Sequence, residues 1–287
     1  LKTDDCDAYA AKAKAYRNLA QEIKEEFQTR YVDADGDLKQ KSQTAYLLAL
    51  KQDLFPTEEA RKKGLETLTR KIAGNGNRLS TGFVGTAILN QTLSQFGESD
   101  TAYNLLLQRG NPSWLYSIDQ GATTIWERWD SYTKEKGFGP VSMNSFNHYS
   151  YGAVSEWMYR TMGGIDIDET RPGFKHIVLQ PVPDNRTEIP AGQERINWVN
   201  ASFPSCYGDI KSSWKKENDG AVSYQISIPA NTTATLHLQL PTLDYVVEES
   251  GKAAVKAEGV SSITFMNGKA VLELQSGSYQ FVVKKGK

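Results

Sequence analysis

Arg171-Pro172-Gly173 separates two parts of the sequence that differ in hydrophobic period. Upstream of it, apolar residues recur at helical spacing. The clearest example is a stripe with one residue every four positions: Ala11, Ala15, Leu19, Ile23 and Phe27. Downstream, apolar and polar residues alternate, as they do over residues 222–228. The sequence therefore predicts a helical domain over residues 1–170 and a strand-rich domain over residues 171–287.

The helical part carries a weak repeat. After the first helix, the predicted helices cover about residues 43–54, 58–74, 82–96, 99–108, 122–133 and 145–162. Thr57 precedes two glutamates and is predicted to cap its helix, which Gly74 ends. Helix starts recur roughly every 40 residues with two helices per unit, which is typical of a solenoid or a closed α/α barrel. If the whole protein is a six-hairpin barrel, the chain holds about half of it.

The strand-rich part shows the same alternation in several short segments. Leu236, Leu238 and Leu240 form one set, and Tyr279, Phe281 and Val283 form another. Asn267-Gly268 between two such segments predicts a β-hairpin. Short strands separated by turns are typical of an antiparallel β-sandwich.

Composition excludes several classes of protein. The net charge is −1 and no basic stripe is present to neutralise phosphates, so no nucleic-acid partner is expected. No apolar run reaches about 18 residues, so no membrane partner is expected either. Cys6 and Cys206 lie far apart in the sequence, so no metal site is predicted and a disulfide between them has no support. No cofactor is predicted either.

The beginning of the sequence indicates a cut within a longer protein. The first residue is Leu1 rather than Met, and Asp4, Asp5 and Asp7 are predicted to begin the first helix. Localisation cannot be read from such a piece, although a secreted or periplasmic place is favoured over the cytoplasm. The oligomeric state is likewise open.

One segment combines a carboxylate with two tryptophans: Ile118-Asp119-Gln120-Gly121-Ala122-Thr123-Thr124-Ile125-Trp126-Glu127-Arg128-Trp129-Asp130. If a threonine caps a helix here, Glu127 lies in its first turn, where the helix dipole stabilises an ionised carboxylate. Such a group suits a general base. Trp126 and Trp129 offer apolar faces to sugar rings. The alternative is a packed helix in which Glu127 pairs with an arginine.

A second polar group follows at Asn147 and His148, predicted at the start of the next helix. If the helices begin at one end of a barrel, both residues lie near Glu127. Neutral His148 could donate and accept hydrogen bonds with adjacent sugar hydroxyls. The alternative is a structural histidine, which is also the interpretation we prefer for His176 and His237.

These segments resemble the α-L-rhamnosidase family of glycoside hydrolases, family 78. The strongest similarity lies in residues 121–130, followed at matching spacing by Asn147-His148-Tyr149, residues 152–154 and Glu156-Trp157. Weaker similarity occurs at residues 81–86, 112–114 and 207–210, and the resemblance covers residues 7 to 284.

The resemblance implies part of an (α/α)6 barrel followed by an antiparallel β-sandwich, and a rhamnose-containing carbohydrate or glycoside as substrate. It also implies removal of terminal α-L-rhamnose with inversion. Glu127 corresponds to the general base, and His148 to a residue that contacts the sugar. Asn147, Trp126 and Trp129 are the other expected substrate-binding residues.

One part of the family pattern is missing. The general acid of the family lies in an acid-rich motif in the first barrel half, and this sequence has no counterpart to it. We therefore expect an inactive chain that carries the base without the acid. Two alternatives stay open: another inverting α/α-barrel glycosidase or a polysaccharide lyase, and a non-catalytic carbohydrate-binding protein.

Overall fold

The structure is a computed structural model that describes residues 3–242 and 244–286. Leu1 and the side chains of Asp4 and Asp5, on which the predictions about the start of the chain depend, lie outside the described residues. The chain forms two compact units. The first, the helical unit, comprises Leu1–Thr92 and Gln108–Tyr151, and the second, the sheet unit, comprises Leu93–Leu107 and Gly152–Lys287.

Seven α-helices lie in the described part of the chain: α1 Thr3–Tyr31, α2 Gln43–Lys51, α3 Glu58–Gly74, α4 Phe83–Gln95, α5 Ser99–Leu106, α6 Trp114–Asp119 and α7 Val154–Trp157. The prediction for α3 is confirmed at both ends, because Thr57 Oγ1 accepts a hydrogen bond from Ala60 N–H at 3.1 Å and the helix ends at Gly74. In α1 the predicted apolar stripe is largely uncovered, with Leu19 49% and Ile23 57% exposed.

The predicted helix over residues 122–133 is wrong. The helix in this region is α6, which Ser113 caps and which ends just before Gly121, a glycine with φ +104°. Residues 122–131 are irregular, and a short hairpin of β1 (Tyr132–Thr133) and β2 (Gly137–Phe138) follows. Threonine, isoleucine and tryptophan are poor helix formers, and this run satisfies its backbone groups through another segment instead.

The predicted helix over residues 145–162 begins later and is not uniform. A 3₁₀ turn covers Tyr149–Ala153, α7 follows, and a π-helical turn covers Met158–Met162. Asn147 and His148 therefore precede the helix instead of beginning it.

Eleven further strands form two sheets within the described residues: β3 Ile165–Ile167, β4 His176–Leu179, β5 Trp198–Ser205, β6 Gly208–Lys216, β7 Val222–Ile228, β8 Thr233–Gln239, β9 Tyr245–Glu249, β10 Lys252–Ala253, β11 Val260–Met266, β12 Lys269–Leu274 and β13 Gly277–Lys285. The strand orders are β10-β9-β13-β7-β6-β5 and β11-β12-β8-β4-β3. One pair departs from the predicted antiparallel pattern, since β4 and β8 are parallel. The long connection through β5, β6 and β7 allows that direction.

Both sheets contribute to one buried cluster. The predicted alternations are confirmed, because the inward-facing side chains of β7, β8 and β13 are buried: Tyr224, Ile226, Ile228, Leu236, Leu238, Tyr279, Phe281 and Val283. The predicted hairpin is confirmed as well. Met266 pairs with Lys269, and Asn267 and Gly268 both have positive φ, as the tight turn requires.

The sheet unit begins before the predicted boundary at residue 170 because α5 packs within it. The ring of Tyr103 lies 5.2 Å from that of Trp157, and its hydroxyl donates to Val182 O at 2.8 Å. Arg186 Nη1 donates to Asn104 Oδ1 at 2.9 Å. The change of hydrophobic period therefore does not coincide with the change of packing unit.

Cys6 and Cys206 are both free and exposed. Across the described residues, we find no helix with the length and hydropathy that a membrane crossing needs.

Candidate active site

Two irregular segments of the helical unit run side by side at the candidate site. His148 N–H donates to Ile125 O at 2.8 Å, and Glu127 N–H donates to Ser145 O at 2.9 Å. Thr124 Oγ1 also donates to Phe146 O. The first two bonds occupy backbone groups that a helix over residues 122–133 would have used internally. The expected proximity of Glu127 to the 147–148 pair is therefore observed, but through paired loops and not through neighbouring helix starts.

Glu127 is held at both its backbone and its side chain. In addition to the hydrogen bond that its backbone N–H donates to Ser145 O, its Oε2 accepts a hydrogen bond from Ser145 N–H at 2.8 Å. The side chain is half-buried and lies outside any helix, so the helix-dipole argument for its charge is wrong.

The alternative in which Glu127 pairs with an arginine is not what the structure shows. Arg128 pairs with Asp130, with Nε 3.3 Å from Oδ1. Among the ion pairs of the described residues, none includes Glu127. The carboxylate is thus free of a competing cation, and one of its oxygens is oriented by the backbone.

His148 lies against aromatic rings. Its ring stacks on Phe83 at 4.6 Å with an interplanar angle of 20°, and Tyr149 lies 6.1 Å away on a nearly parallel plane. His148 Nδ1 is buried and has no hydrogen-bond partner among residues 3–242 and 244–286. A buried polar atom without a partner costs about 1–3 kcal/mol, and such atoms in native structures call for an explanation. Asn147 is exposed, and its N–H donates to Ser145 Oγ at 3.2 Å.

The two tryptophans occupy different environments. Trp126 is only 7% exposed and packs edge-on against Phe146 at 5.3 Å. Trp129 is half-buried, and one face stacks on Tyr151 at 3.8 Å. Because Trp126 has little exposed surface and Trp129 has one covered face, both support the fold of this segment. Their binding to sugar stays a prediction.

Three neighbours of the site were not predicted as site residues. Ser145 orients Glu127, Phe83 underlies His148, and Tyr151 underlies Trp129. Burial raises the pKa of the Tyr151 hydroxyl, nearby Arg128 lowers it, and Asp130 and Glu127 raise it. Tyr151 is therefore a neutral phenol at physiological pH. The sequence offered no signal for Ser145, because its role depends on a backbone amide.

The candidate site is open in this chain. Thr123, Thr124, Ile125, Asn147 and Tyr149 are all exposed around Glu127. A cavity of about 540 Å³ lies in the sheet unit, and none of these residues lines it. The chemistry of the Glu127 region, not a cavity volume, therefore identifies the candidate active site.

Two family models match most of the chain. Residues 6–162 match the bacterial alpha-L-rhamnosidase 6 hairpin glycosidase domain. Residues 164–253 match the bacterial alpha-L-rhamnosidase C-terminal domain. The segments of Glu127 and His148 both lie within the first match.

Known proteins show the same relationship. An alpha-L-rhamnosidase of Streptomyces avermitilis is 39% identical over 271 residues, which is 94% of this chain and 24% of that protein. One from Formosa agariphila is 39% identical over 85% of this chain and 25% of its own length. The crystal structure of the Streptomyces avermitilis enzyme complexed with L-rhamnose superposes with a TM-score of 0.82 and 38% identity, over 95% of this chain and 24% of that one. The chain thus spans about a quarter of the length of these relatives.

Proposed function

This chain belongs to the bacterial alpha-L-rhamnosidase family, and from that premise we propose that the full-length protein hydrolyses terminal α-L-rhamnose from rhamnosides with inversion. Residues 1–170 supply the second half of an (α/α)6 barrel, and residues 171–287 supply a β-sandwich. The sheets that share one core and the run of helices before them support this architecture.

The observation that carries the proposal is the hydrogen bond from Ser145 N–H to Glu127 Oε2 at 2.8 Å. It fixes one carboxylate oxygen in place, so that the Glu127 side chain is positioned to accept a proton from an attacking water. In an inverting glycosidase the base and the acid stand about 6.5–9.5 Å apart with that water next to the base. The acid belongs to a part of the protein upstream of these residues.

The sugar is held by the groups beside Glu127. His148 and Asn147 face the rhamnose hydroxyls. His148 Nδ1 has no hydrogen-bond partner among the described residues, which supports a role in which a group outside them supplies that partner. Trp126 and Trp129 border the sugar and keep the loop rigid. The relative from Streptomyces avermitilis was solved with L-rhamnose, which supports this sugar as the substrate.

The test is Glu127→Gln in the full-length protein. Amide replacement keeps the shape but removes the base, so kcat on an aryl α-L-rhamnoside is expected to fall by about 10³-fold or more. Glu135→Gln is the matched control, because Glu135 is exposed at the tip of the β1–β2 hairpin. Its kcat is expected to stay within about twofold of the original.

Three outcomes would contradict the proposal. Near-normal turnover by the Glu127 variant would remove its role as base. Retention of the α-configuration in freshly released rhamnose, followed by proton NMR, would exclude inversion. Cleavage restricted to uronic-acid substrates with formation of an unsaturated product would indicate a lyase.

A further inference from the structure

The sheet unit contains a cavity that the proposed hydrolysis does not use. Its volume is about 540 Å³, within the range of small-molecule sites in proteins. Four parts of the chain form its wall: residues 155–160, which run from α7 into the π-helical turn, strand β3, Phe174, and residues 202–204 of strand β5. β3 and β5 are the edge strands of their sheets, so the cavity lies where both sheets end.

Most of the wall is apolar. The side chains of Tyr159, Ile165, Ile167, Phe174 and Phe203 line it, and the rings of Phe174 and Phe203 lie 4.9 Å apart at 39°. Such a surface favours a flat hydrocarbon ring, which gains from both burial and ring contacts.

Phe174 is held in a backbone conformation that phenylalanine rarely adopts. Its φ is +64°, and Gly173 before it also has positive φ. A bulky residue in this region costs about 1–2 kcal/mol, and such strain is concentrated at sites with a function. The strained backbone places the ring of Phe174 on the cavity wall.

The polar end of the cavity carries more negative than positive charge. Arg160 is bound by two carboxylates, with Nε 2.8 Å from Asp166 Oδ1 and Nη1 2.8 Å from Glu156 Oε1. Asp166 also accepts hydrogen bonds from Ile167 N–H and Gln180 Nε2. The guanidinium is thus neutralised, and an anion entering the cavity would meet an unfavourable field.

We propose that this cavity binds an uncharged aromatic alcohol, with its ring against Phe174 and Phe203 and its hydroxyl directed at the Glu156–Arg160 pair. A hydroxyl can donate to a carboxylate, which an aromatic carboxylate cannot do. A sugar is a poorer ligand, because most of the wall is apolar and several sugar hydroxyls would lose their hydrogen bonds to water.

The experiment measures binding of 2-naphthol, a fluorescent aromatic alcohol, to the full-length protein by fluorescence titration. We expect saturable binding at one site, with 2-naphthoate binding at least about tenfold more weakly because it is an anion of similar shape. Equal affinity for the two compounds, or no saturable binding of 2-naphthol, would overturn the proposal.

Two variants locate the site. Ser202 is an exposed residue of edge strand β5 that lines the cavity, so Ser202→Trp should fill it and weaken 2-naphthol binding at least about tenfold. The matched control is Ser262→Trp, at an exposed position of edge strand β11, which should leave the affinity unchanged. Unchanged binding by the Ser202 variant would place the ligand elsewhere.

If circular dichroism shows that Ser202→Trp is unfolded, Tyr159→Ala decides the question. Tyr159 is 46% exposed, so its removal opens the wall without emptying the core. Loss of affinity supports the proposal, and unchanged affinity contradicts it. A further arm adds methyl α-L-rhamnoside as competitor. Displacement of 2-naphthol by it would identify a sugar site and overturn the aromatic assignment, independently of whether the protein hydrolyses rhamnosides.

Discussion

Glu127 and Ser145 exchange two hydrogen bonds although 18 positions separate them in the chain. The amide of Glu127 donates to Ser145 O at 2.9 Å, and the amide of Ser145 donates to Glu127 Oε2 at 2.8 Å. The backbone of one loop thus positions the backbone of the other and, independently, one oxygen of the carboxylate. The candidate base is oriented without the aid of a helix terminus.

Removing the Ser145 amide should weaken catalysis by the full-length protein. Ser145→Pro deletes the N–H that binds Glu127 Oε2. A hydrogen bond to a charged group contributes about 1.5–3 kcal/mol, so kcat is expected to fall by about 10- to 100-fold. The control is Ser145→Ala, which keeps the amide and loses only the hydroxyl that accepts from Asn147 N–H. Equal kcat values for the two variants would show that the amide does not position the base.

The buried pair of Asp184 and Arg186 should stabilise the sheet unit. Asp184 is 0% and Arg186 1% exposed, and two parallel bonds of 2.8 and 2.7 Å join them. Asp184→Ala leaves a buried guanidinium unpaired, which should lower the free energy of unfolding by about 3–5 kcal/mol. Urea unfolding followed by tryptophan fluorescence measures it, with exposed Glu169→Ala as the control. A loss below about 1 kcal/mol would mean that solvent reaches the site.

Alanine substitutions at two glycines with nearly the same φ can distinguish the cost of backbone strain from the cost of steric overlap. Gly164 has φ +75° and Gly268 has φ +71°. A Cβ at Gly164 would lie 2.1 Å from Pro181 N, whereas at Gly268 the nearest atom is Leu240 O at 3.9 Å. Gly268→Ala should cost about 1 kcal/mol of stability from strain alone, and Gly164→Ala at least about 2 kcal/mol more from overlap. Equal losses in thermal or urea unfolding would refute the steric argument.

The carboxyl of Asp168 should titrate unusually low. The Thr170 hydroxyl donates to it at 2.6 Å, and this bond, with further bonds from Thr170 N–H and Arg171, lowers the pKa of Asp168 from 3.8 to about 2. Thr170→Val should bring the pKa back toward 3.8 in a carboxyl-carbon NMR titration. The separate pKa of Asp244, which Thr242 lowers, should not change.

The same shift has a consequence for stability. The folded-state pKa of Asp168 lies below its pKa in the unfolded chain. Its stabilising contribution to the free energy of unfolding is therefore present above about pH 4 and is lost as the pH falls toward about 2. In Thr170→Val this acid-sensitive contribution should shrink. An identical acid-unfolding curve for both proteins would contradict the assignment.

The alternation of apolar and polar residues predicted the strands of the sheet unit well, because the apolar positions of β7, β8 and β13 are the buried ones. The hairpin at Asn267-Gly268 was predictable for a related reason, since its two residues must adopt positive φ. The parallel pairing of β4 with β8 was not predictable, because strand direction depends on long-range connections and not on local pattern.

At the candidate site, the residue types identified the candidate base, but the local sequence pattern predicted the wrong secondary structure. The polar and aromatic residues of the 121–130 segment suggested both a helix and a base, but hydrogen bonds to residues 145–148 determine its backbone. Such bonds between distant segments leave no periodic signal. The role of a backbone amide, such as that of Ser145, is equally invisible, because every residue except proline has one.

The hairpin between the two site segments is closed at its base. Ser131 O accepts bonds from Gly139 N–H at 2.8 Å and from Asn144 Nδ2 at 3.0 Å, and these contacts lie between the tip of the hairpin and Glu127. Insertions at residues 134–136, in the exposed tip, would therefore not displace the carboxylate. The hairpin is thus a structurally separate module, whose length and composition can change without moving the carboxylate or its amide partner.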